Sequence, residues 1–457
     1  MRSLHFIFIL VAIITCPAFA AVAGNEVAQA HWDISTSLNG FSFERAKAIS
    51  AKTIDRTGVR MSRLKSLKHK TDSHPRSALS HLTRSHLAAA RKGTVPHQNI
   101  SAVGSFSTAY AIQCTWDDTP VWLIFDTGSS DTWAAKTGFT CEDVSGNVRK
   151  TQSPCSFGQP HIKNFLHDIS EVYFHRRYGS GEDVSGPMGV SDIACGGISV
   201  PKQQVGLASR AYWRGDNTTV GILGLAYPSL TSAYLGSPND TSDESEWNNY
   251  PYSPWFTTAI SKGVVDPVFS VSIERNTSYG VLAWGGLPPM PWGPKSFAAT
   301  DLIIAKLVER EKTGWEPSFY TIIPDGLQWG STTDTAKYPY IVDTGTTIMH
   351  IPPPLKALAE AIAKAFQPPA TWMFEWSAYF VDCNAIPPHF AVIIEGVRFW
   401  INPADLIYQG FTEPVTGKCA IAISTGGSGP YILGDLFLQN VVAVFDVGGA
   451  EMRFYSK

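Results

Sequence analysis

The sequence predicts a turn-rich globular protein made of two duplicated halves, and argues against a helical array, a coiled coil or a disordered chain. Three observations carry this reading. The 457 residues include 38 Gly and 30 Pro, with only 16% charged and 12% aromatic residues, a balance suited to turns around a packed core. At that length two or three domains can each bury a sizeable core. An apolar strand emptying into Asp-Thr-Gly occurs twice, once in each half of the chain body.

The net charge of −3 conceals a division along the chain. Residues 21–97 hold 13 Lys/Arg and 5 Asp/Glu, a net +8, whereas residues 98–457 hold 22 and 34, a net −12. Ahead of both, Arg2 precedes an apolar run from Phe6 to Cys16, and Ala18-Phe19-Ala20 supplies a small-x-small exit. That order predicts a signal peptide over 1–20, since the run is too short to span a bilayer. The basic segment 21–97 is expected to be a propeptide, a removable cover held on the acidic body by long-range attraction. A nucleic-acid arm is the poorer reading, because no aromatic residue interleaves the charges from Arg45 to Lys92 for base stacking. The chain ends on Arg453 and Lys457 with no hydrophobic or lipid-anchor signal, so the expected product has no membrane anchor.

Once Cys16 leaves with the signal, six cysteines remain, an even number that in an oxidising compartment suggests disulfides with 15 possible connectivities. The sequons at Asn99, Asn217, Asn239 and Asn276 fit the secretory route as glycosylation sites. There is no Cys-x-x-Cys and no His-Glu-x-x-His, and His161, His167, His175, His350 and His389 lack metal-ligand spacing. Neither a catalytic metal nor a cofactor is expected.

The repeated elements are Val121-Trp122-Leu123-Ile124-Phe125-Asp126-Thr127-Gly128-Ser129-Ser130 and Tyr338-Pro339-Tyr340-Ile341-Val342-Asp343-Thr344-Gly345-Thr346-Thr347. Each is followed by an apolar-apolar-Gly partner, Gly221-Ile222-Leu223-Gly224-Leu225 and Tyr431-Ile432-Leu433-Gly434-Asp435. The Asp-to-Gly separations are 98 and 91 residues. A single Asp-Thr-Gly is an ordinary strand-end turn. Two copies with matched partners are a duplication, which places one carboxylate from each half at a shared interface, where pockets form.

These motifs resemble the pepsin-like aspartic endopeptidases over roughly residues 105–457. The resemblance implies an all-β, bilobal pepsin-like aspartic protease fold, with two pseudo-two-fold related β lobes, a few short helices and a β-hairpin flap. The lobes would occupy 98–287 and 288–457. It further implies that Asp126 and Asp343 are the catalytic dyad. Gly128 and Gly345 belong to the two active-site loops, and Thr127 and Thr344 brace those loops across the lobe interface. Ser129 and Thr346 match positions whose hydroxyls bond the outer carboxylate oxygens. Tyr178-Gly179-Ser180-Gly181 resembles the flap tip, with Tyr178, Gly179 and Ser180 over the bound peptide and Trp133 as the hydrogen-bond partner of Tyr178. By the same resemblance Cys383 pairs with Cys419 and Cys141 with Cys155, which leaves Cys114 with Cys195, and the protein is a monomer.

Two like charges a few ångströms apart cannot both ionise without strong repulsion, so a carboxyl pair holds one proton across a range of acidic pH. One member then serves as base and the other as acid. The implied activity is acid endoproteolysis of extended peptide or protein substrates by a secreted zymogen, acting outside the cell or in an acidic vacuole-like compartment. Acidification would protonate the −12 body, charge six propeptide histidines and release the propeptide.

Some stretches depart from the family pattern. Ser105–Tyr110 lacks the usual opening strand sequence, and an insertion around Cys141–Cys155 lengthens the path from Asp126 to Tyr178. Arg176, Arg177, Glu182 and Asp183 put charges around the flap tip and could alter cleavage preference. The acidic stretch 237–246 lacks a calcium-loop pattern and is expected to be a solvated loop without function. The segment Pro353–Phe366 predicts a helix, opened by proline and stopped before Pro368, with Leu355, Leu358, Ile362 and Phe366 facing the core. Two rivals are weaker. A non-catalytic binding protein on this fold usually lacks an Asp or the flap Tyr, all of which are present, and a glycoside hydrolase gains nothing from paired Asp-Thr-Gly loops.

Overall fold

In the strand Thr119–Asp126, Val121, Leu123 and Phe125 are buried while Thr119, Trp122 and Ile124 are less so, the period-two pattern of a strand lying on a core. The strand Val441–Asp446 instead buries all of Val-Val-Ala-Val-Phe-Asp, as expected where both faces are covered. Such strands dominate the computed structural model, which describes residues 37–38, 41–45, 97–103, 109–240, 243–245, 247–275, 279–288, 296–305, 317–351, 356–376, 378–425 and 431–457. Residues 1–20, expected to be a signal peptide, most of the basic segment 21–97 and the sequon at Asn276 lie outside the described residues.

The described strands form sheets of 14, 8, 4 and 4 members. The largest carries the first Asp-Thr-Gly half and is continuous across position 287. Its strand Val268–Ile273 pairs with Val441–Asp446, which in turn pairs with Glu451–Ser456. Phe269 and Phe445 stack across that junction at 4.5 Å, and Tyr320 packs edge-on to Phe445. Burying an aromatic of this size contributes about 1.5–3 kcal/mol. The 8-stranded sheet carries the second half, and its outer strand Ile303–Ala305 accepts Phe41–Arg45, so the basic leading segment adds a strand to that sheet.

Each apolar-apolar-Gly motif lies beside the Asp strand of its own half. Gly221–Gly224 runs parallel to Leu123–Asp126, and Tyr431–Leu433 runs parallel to Tyr340–Val342. The Leu225 N–H then donates to the Asp126 carbonyl, and the Asp343 N–H to the Leu433 carbonyl, at 2.8 and 3.1 Å. Glycine is required at the strand ends: a Cβ on Gly224 would collide with the backbone of Ser130 and Asp131, and one on Gly434 with the carbonyl oxygens of Thr346 and Ile348.

Among the described residues the helices are short: Trp255–Ser261, Lys356–Lys364 and Asp435–Leu438. The expected helix 353–366 is shorter at its C-terminal end, and its first residues lie outside the described ones. Leu358 and Ile362 are buried as expected. The helix closes at Lys364 because the Ala365 and Phe366 N–H groups reach back only three residues, which turns Phe366 into the core. No described helix is long and apolar enough to cross a membrane.

Three disulfides are formed: Cys114–Cys195, Cys141–Cys155 and Cys383–Cys419. The first joins residues directly opposite each other on neighbouring strands, and the second closes the inserted loop after the first Asp motif. Asn217 and Asn239 are exposed, and Asn99 lies on the strand His97–Val103.

Candidate active site

Asp126 and Asp343 leave the ends of their strands and meet, both buried. Their surroundings repeat atom for atom. Gly128 N–H donates to Asp126 Oδ1 at 2.7 Å, and Gly345 N–H to Asp343 Oδ1 at 2.7 Å. Ser129 Oγ donates to Asp126 Oδ2, and Thr346 Oγ1 to Asp343 Oδ2 at 2.7 Å. Beneath them Thr127 and Thr344 interlock, each backbone N–H donating to the other's hydroxyl at 3.1 and 3.0 Å. Each hydroxyl also donates to a carbonyl of the opposite strand, Thr127 to Val342 at 2.9 Å and Thr344 to Phe125 at 3.2 Å.

The loop glycines are positions of closest approach. A Cβ on Gly128 would lie 2.5 Å from Asp343 Oδ1, and one on Gly345 would lie 2.5 Å from Asp126 Oδ1. Only glycine lets each carboxylate rest against the other's loop. Burial pushes the Asp343 carboxyl well above the usual carboxylate range, and the Asp126 charge beside it pushes the same way. The same burial and repulsion disfavour ionising both carboxyls together, so the pair retains a proton.

The strands His167–Arg177 and Asp183–Cys195 form a hairpin, paired up to Arg177 opposite Asp183. Its tip is Tyr178-Gly179-Ser180-Gly181, closed by Gly181 N–H to the Tyr178 carbonyl at 2.9 Å, with Gly181 at φ +86°. Trp133 Nε1–H donates to Tyr178 Oη at 2.7 Å. Thus the structure brings together Asp126, Asp343 and their loop partners, and it joins Tyr178 to Trp133 at the flap.

Trp213 and Asp435 near this site were not singled out by the sequence reading, and Glu182 was marked there only as a charge at the flap tip. Trp213 meets Tyr178 edge-on at 5.6 Å and Trp133 at 5.1 Å, forming one aromatic wall with Phe157. Its only linear signal is an aromatic residue eight positions before Gly221. Glu182 ties the hairpin tip to the neighbouring loop, accepting from Ser180 Oγ at 2.7 Å and from Arg214 N–H at 2.8 Å. Asp435, inside the second apolar-Gly motif, is buried, with neither carboxyl oxygen hydrogen-bonded among the described residues. The acidic stretch 237–246 is largely exposed where it is described, as expected, but it has one anchor. Glu244 is partly buried and contacts His175 Nδ1 on the flap strand, so the solvated stretch is tethered at Glu244.

A two-lobed β protein with one Asp-Thr-Gly carboxylate delivered from each half, under a hairpin, has the architecture of an aspartic protease. The family model described as eukaryotic aspartyl protease matches residues 117–456, and the chain belongs to that family. It is thereby an aspartic-type endopeptidase. The chain is 37% identical over 346 residues to a protein of Aspergillus fumigatus named probable aspartic-type endopeptidase, covering 73% of this chain and 75% of the relative. It is 26% identical over 351 residues to human gastricsin, covering 73% and 76%. The crystal structure of an aspartic proteinase from Irpex lacteus superposes with a TM-score of 0.57 at 18% identity, covering 79% of this chain and 97% of that one, which supports the fold.

Proposed function

We propose that the protein is a secreted, acid-acting aspartic endopeptidase made as a zymogen, with Asp126 and Asp343 as its catalytic pair. The observation that carries this reading is the buried, two-fold repeated carboxyl pair, in which burial and mutual repulsion disfavour ionising both members.

In the proposed reaction Asp126 takes a proton from a water between the carboxyls, and the water oxygen attacks the peptide carbonyl carbon. Asp343 gives its proton to the carbonyl oxygen, which yields a neutral tetrahedral diol. Asp126 then passes its proton to the leaving nitrogen as the C–N bond breaks, and Asp343 regains one from a diol hydroxyl. The four donors on the carboxylates hold both groups in line, so little reorganisation accompanies the transfer. The Tyr178 hairpin serves as a lid that excludes water and adds strand-like hydrogen bonds to an extended substrate.

Support for the zymogen comes from the +8 segment ahead of a −12 body, together with the signal-like residues 1–20. The site of action is outside the cell or in an acidic vacuole-like compartment, and the active form is a monomer. Purified precursor incubated with denatured globin at pH 3 and pH 7, with and without pepstatin, tests the reading. Expected are pepstatin-sensitive cleavage at pH 3 and loss of residues before about 98, read by mass mapping. A folded, processed protein that cleaves nothing at either pH overturns it.

A further inference from the structure

Arg176 lies on the flap strand His167–Arg177, two residues before Tyr178 at the hairpin tip, and the two side chains lie on the same side and in contact. That face packs on the Trp133 cluster, since Val172 and Phe174, also on it, belong to that cluster and Phe174 stacks with Trp133 at 6.3 Å. The Tyr178 side chain is held from three directions. Its hydroxyl meets Trp133 Nε1, its ring meets the Trp213 ring, and the guanidinium carbon of Arg176 lies 5.7 Å from the ring centroid. The last distance is within reach of a cation–π attraction.

Arg176 is itself braced at Ser232. Its NH1 donates to Ser232 Oγ at 3.4 Å. The backbone of Ser232 is fixed on both sides: its carbonyl accepts the His175 N–H at 3.1 Å, and its N–H donates to the Asp131 carboxylate at 3.0 and 3.1 Å. Asp131 is fully buried, accepts from Tyr252 Oη at 2.8 Å, and lies between Asp126 and Trp133 in sequence. Burial pushes the Asp131 carboxyl up, while the Ser232 N–H and the Arg176 charge pull against it. Arg176 Nε is buried without a hydrogen-bond partner among the described residues, a cost tolerated where the placement of the guanidinium matters.

We propose that Arg176 is a positioning residue for peptide cleavage: through Ser232 it couples the flap to the loop of Asp126, and it holds the Tyr178 ring so that its hydroxyl meets Trp133. This rests on the reading of Asp126 and Asp343 as the catalytic pair and of Tyr178 as the flap residue. An arginine suits the task because its planar cation can lie against a ring while donating sideways, whereas lysine retains only the charge.

The test is steady-state cleavage of a fluorogenic peptide at pH 4 by the processed protein, with the Tm of each variant measured alongside. Arg176→Ala should lower kcat about tenfold with KM changed less than about twofold, because the lost contact acts on the closed flap. Arg176→Lys should recover part of kcat. Ser232→Ala should cost about two- to threefold, and the double variant should lose less than the product of the two single losses. The proposal is overturned if Arg176→Ala keeps both constants within twofold of wild type, or if Arg176→Lys is as impaired as Arg176→Ala. Should Arg176→Ala not fold, Arg176→Lys and Ser232→Ala carry the test, and unchanged kcat in both overturns it. Inactive wild-type protein would fell the dyad reading and this proposal together, whereas active wild type with indifferent variants sinks Arg176 alone.

Discussion

Thr127 and Thr344 each donate a backbone N–H to the other's side-chain hydroxyl, so the two lobes meet through a pair of hydrogen bonds that a half-turn exchanges. Both residues are fully buried. Each threonine directly follows one of the two carboxylates in sequence, so the lock joins the two Asp-bearing loops.

Thr127→Ala leaves the Thr344 N–H and the Val342 carbonyl without the Thr127 hydroxyl, both in a buried interface. The cost should be about 2–4 kcal/mol, because each unsatisfied buried group costs about 1–3 kcal/mol. Thr127→Ser keeps the hydroxyl and should recover most of it. Chemical denaturation of the three proteins checks the expectation, and equal stability of the Ala and Ser variants would contradict it.

A pH dependence of stability follows from the buried acids. Burial pushes the carboxyls of Asp343, Asp435, Asp131 and Glu182 upward. A carboxyl that binds its proton more tightly when folded gives stability that is complete below its unfolded value, near pH 4, and is lost as pH rises through the raised value. Tm should therefore be higher near pH 4 than at pH 7. Asp435 faces the charges of Asp343 and Asp126 and has no hydrogen bond of its own among the described residues, so Asp435→Asn should show a smaller fall. Parallel Tm curves for wild type and Asp435→Asn would refute the assignment.

One position before Arg176 on the flap strand, His175 Nε2 lies 2.8 Å from Asp183 Oδ1 while Nδ1 contacts Glu244. Burial disfavours the imidazolium, but the bonds to the two carboxylates outweigh it and hold its pKa at about 9. The stabilisation is complete below pH 6.5 and disappears as pH rises through about 9. At the acid end burial again opposes the charge, yet His175 and Arg177 hold Asp183 below its ordinary value, so the contact persists until pH falls through that depressed range. Glu244→Gln should cost about 1 kcal/mol at pH 6, a part-exposed pair discounted for screening. It should also speed limited proteolysis within 237–246, and an unchanged cleavage rate there would count against the tether.

The site was legible where chemistry demands a fixed local sequence. Asp-Thr-Gly needs a carboxylate, a hydroxyl for the lock and a glycine for close approach, and the apolar-apolar-Gly strand must fit beside it. The first three needs fall on three consecutive residues, and the partner strand, 98 and 91 residues further along, carries its own short signature. The same holds for Tyr178 at a hairpin tip. What escaped depends on contacts between distant segments. Ser232 gains its place because three of its groups meet His175, Arg176 and Asp131, and nothing around it in the sequence marks this. Trp213 and Glu244 likewise acquire roles only when the flap folds onto loops 35 and 69 residues further along the chain from Tyr178 and His175, respectively. The end of the helix at Lys364 was misplaced because the packing of Phe366, and not the next proline, ends it.

The most direct measurement is peptide cleavage at pH 3–4 by purified Asp126→Asn and Asp343→Asn, each shown to be folded by circular dichroism and to have a cooperative thermal transition. The account predicts that both variants lose cleavage by at least about a thousandfold, since each removes one half of a two-group proton transfer. Substantial acid cleavage by either folded variant would contradict the paired-carboxyl mechanism.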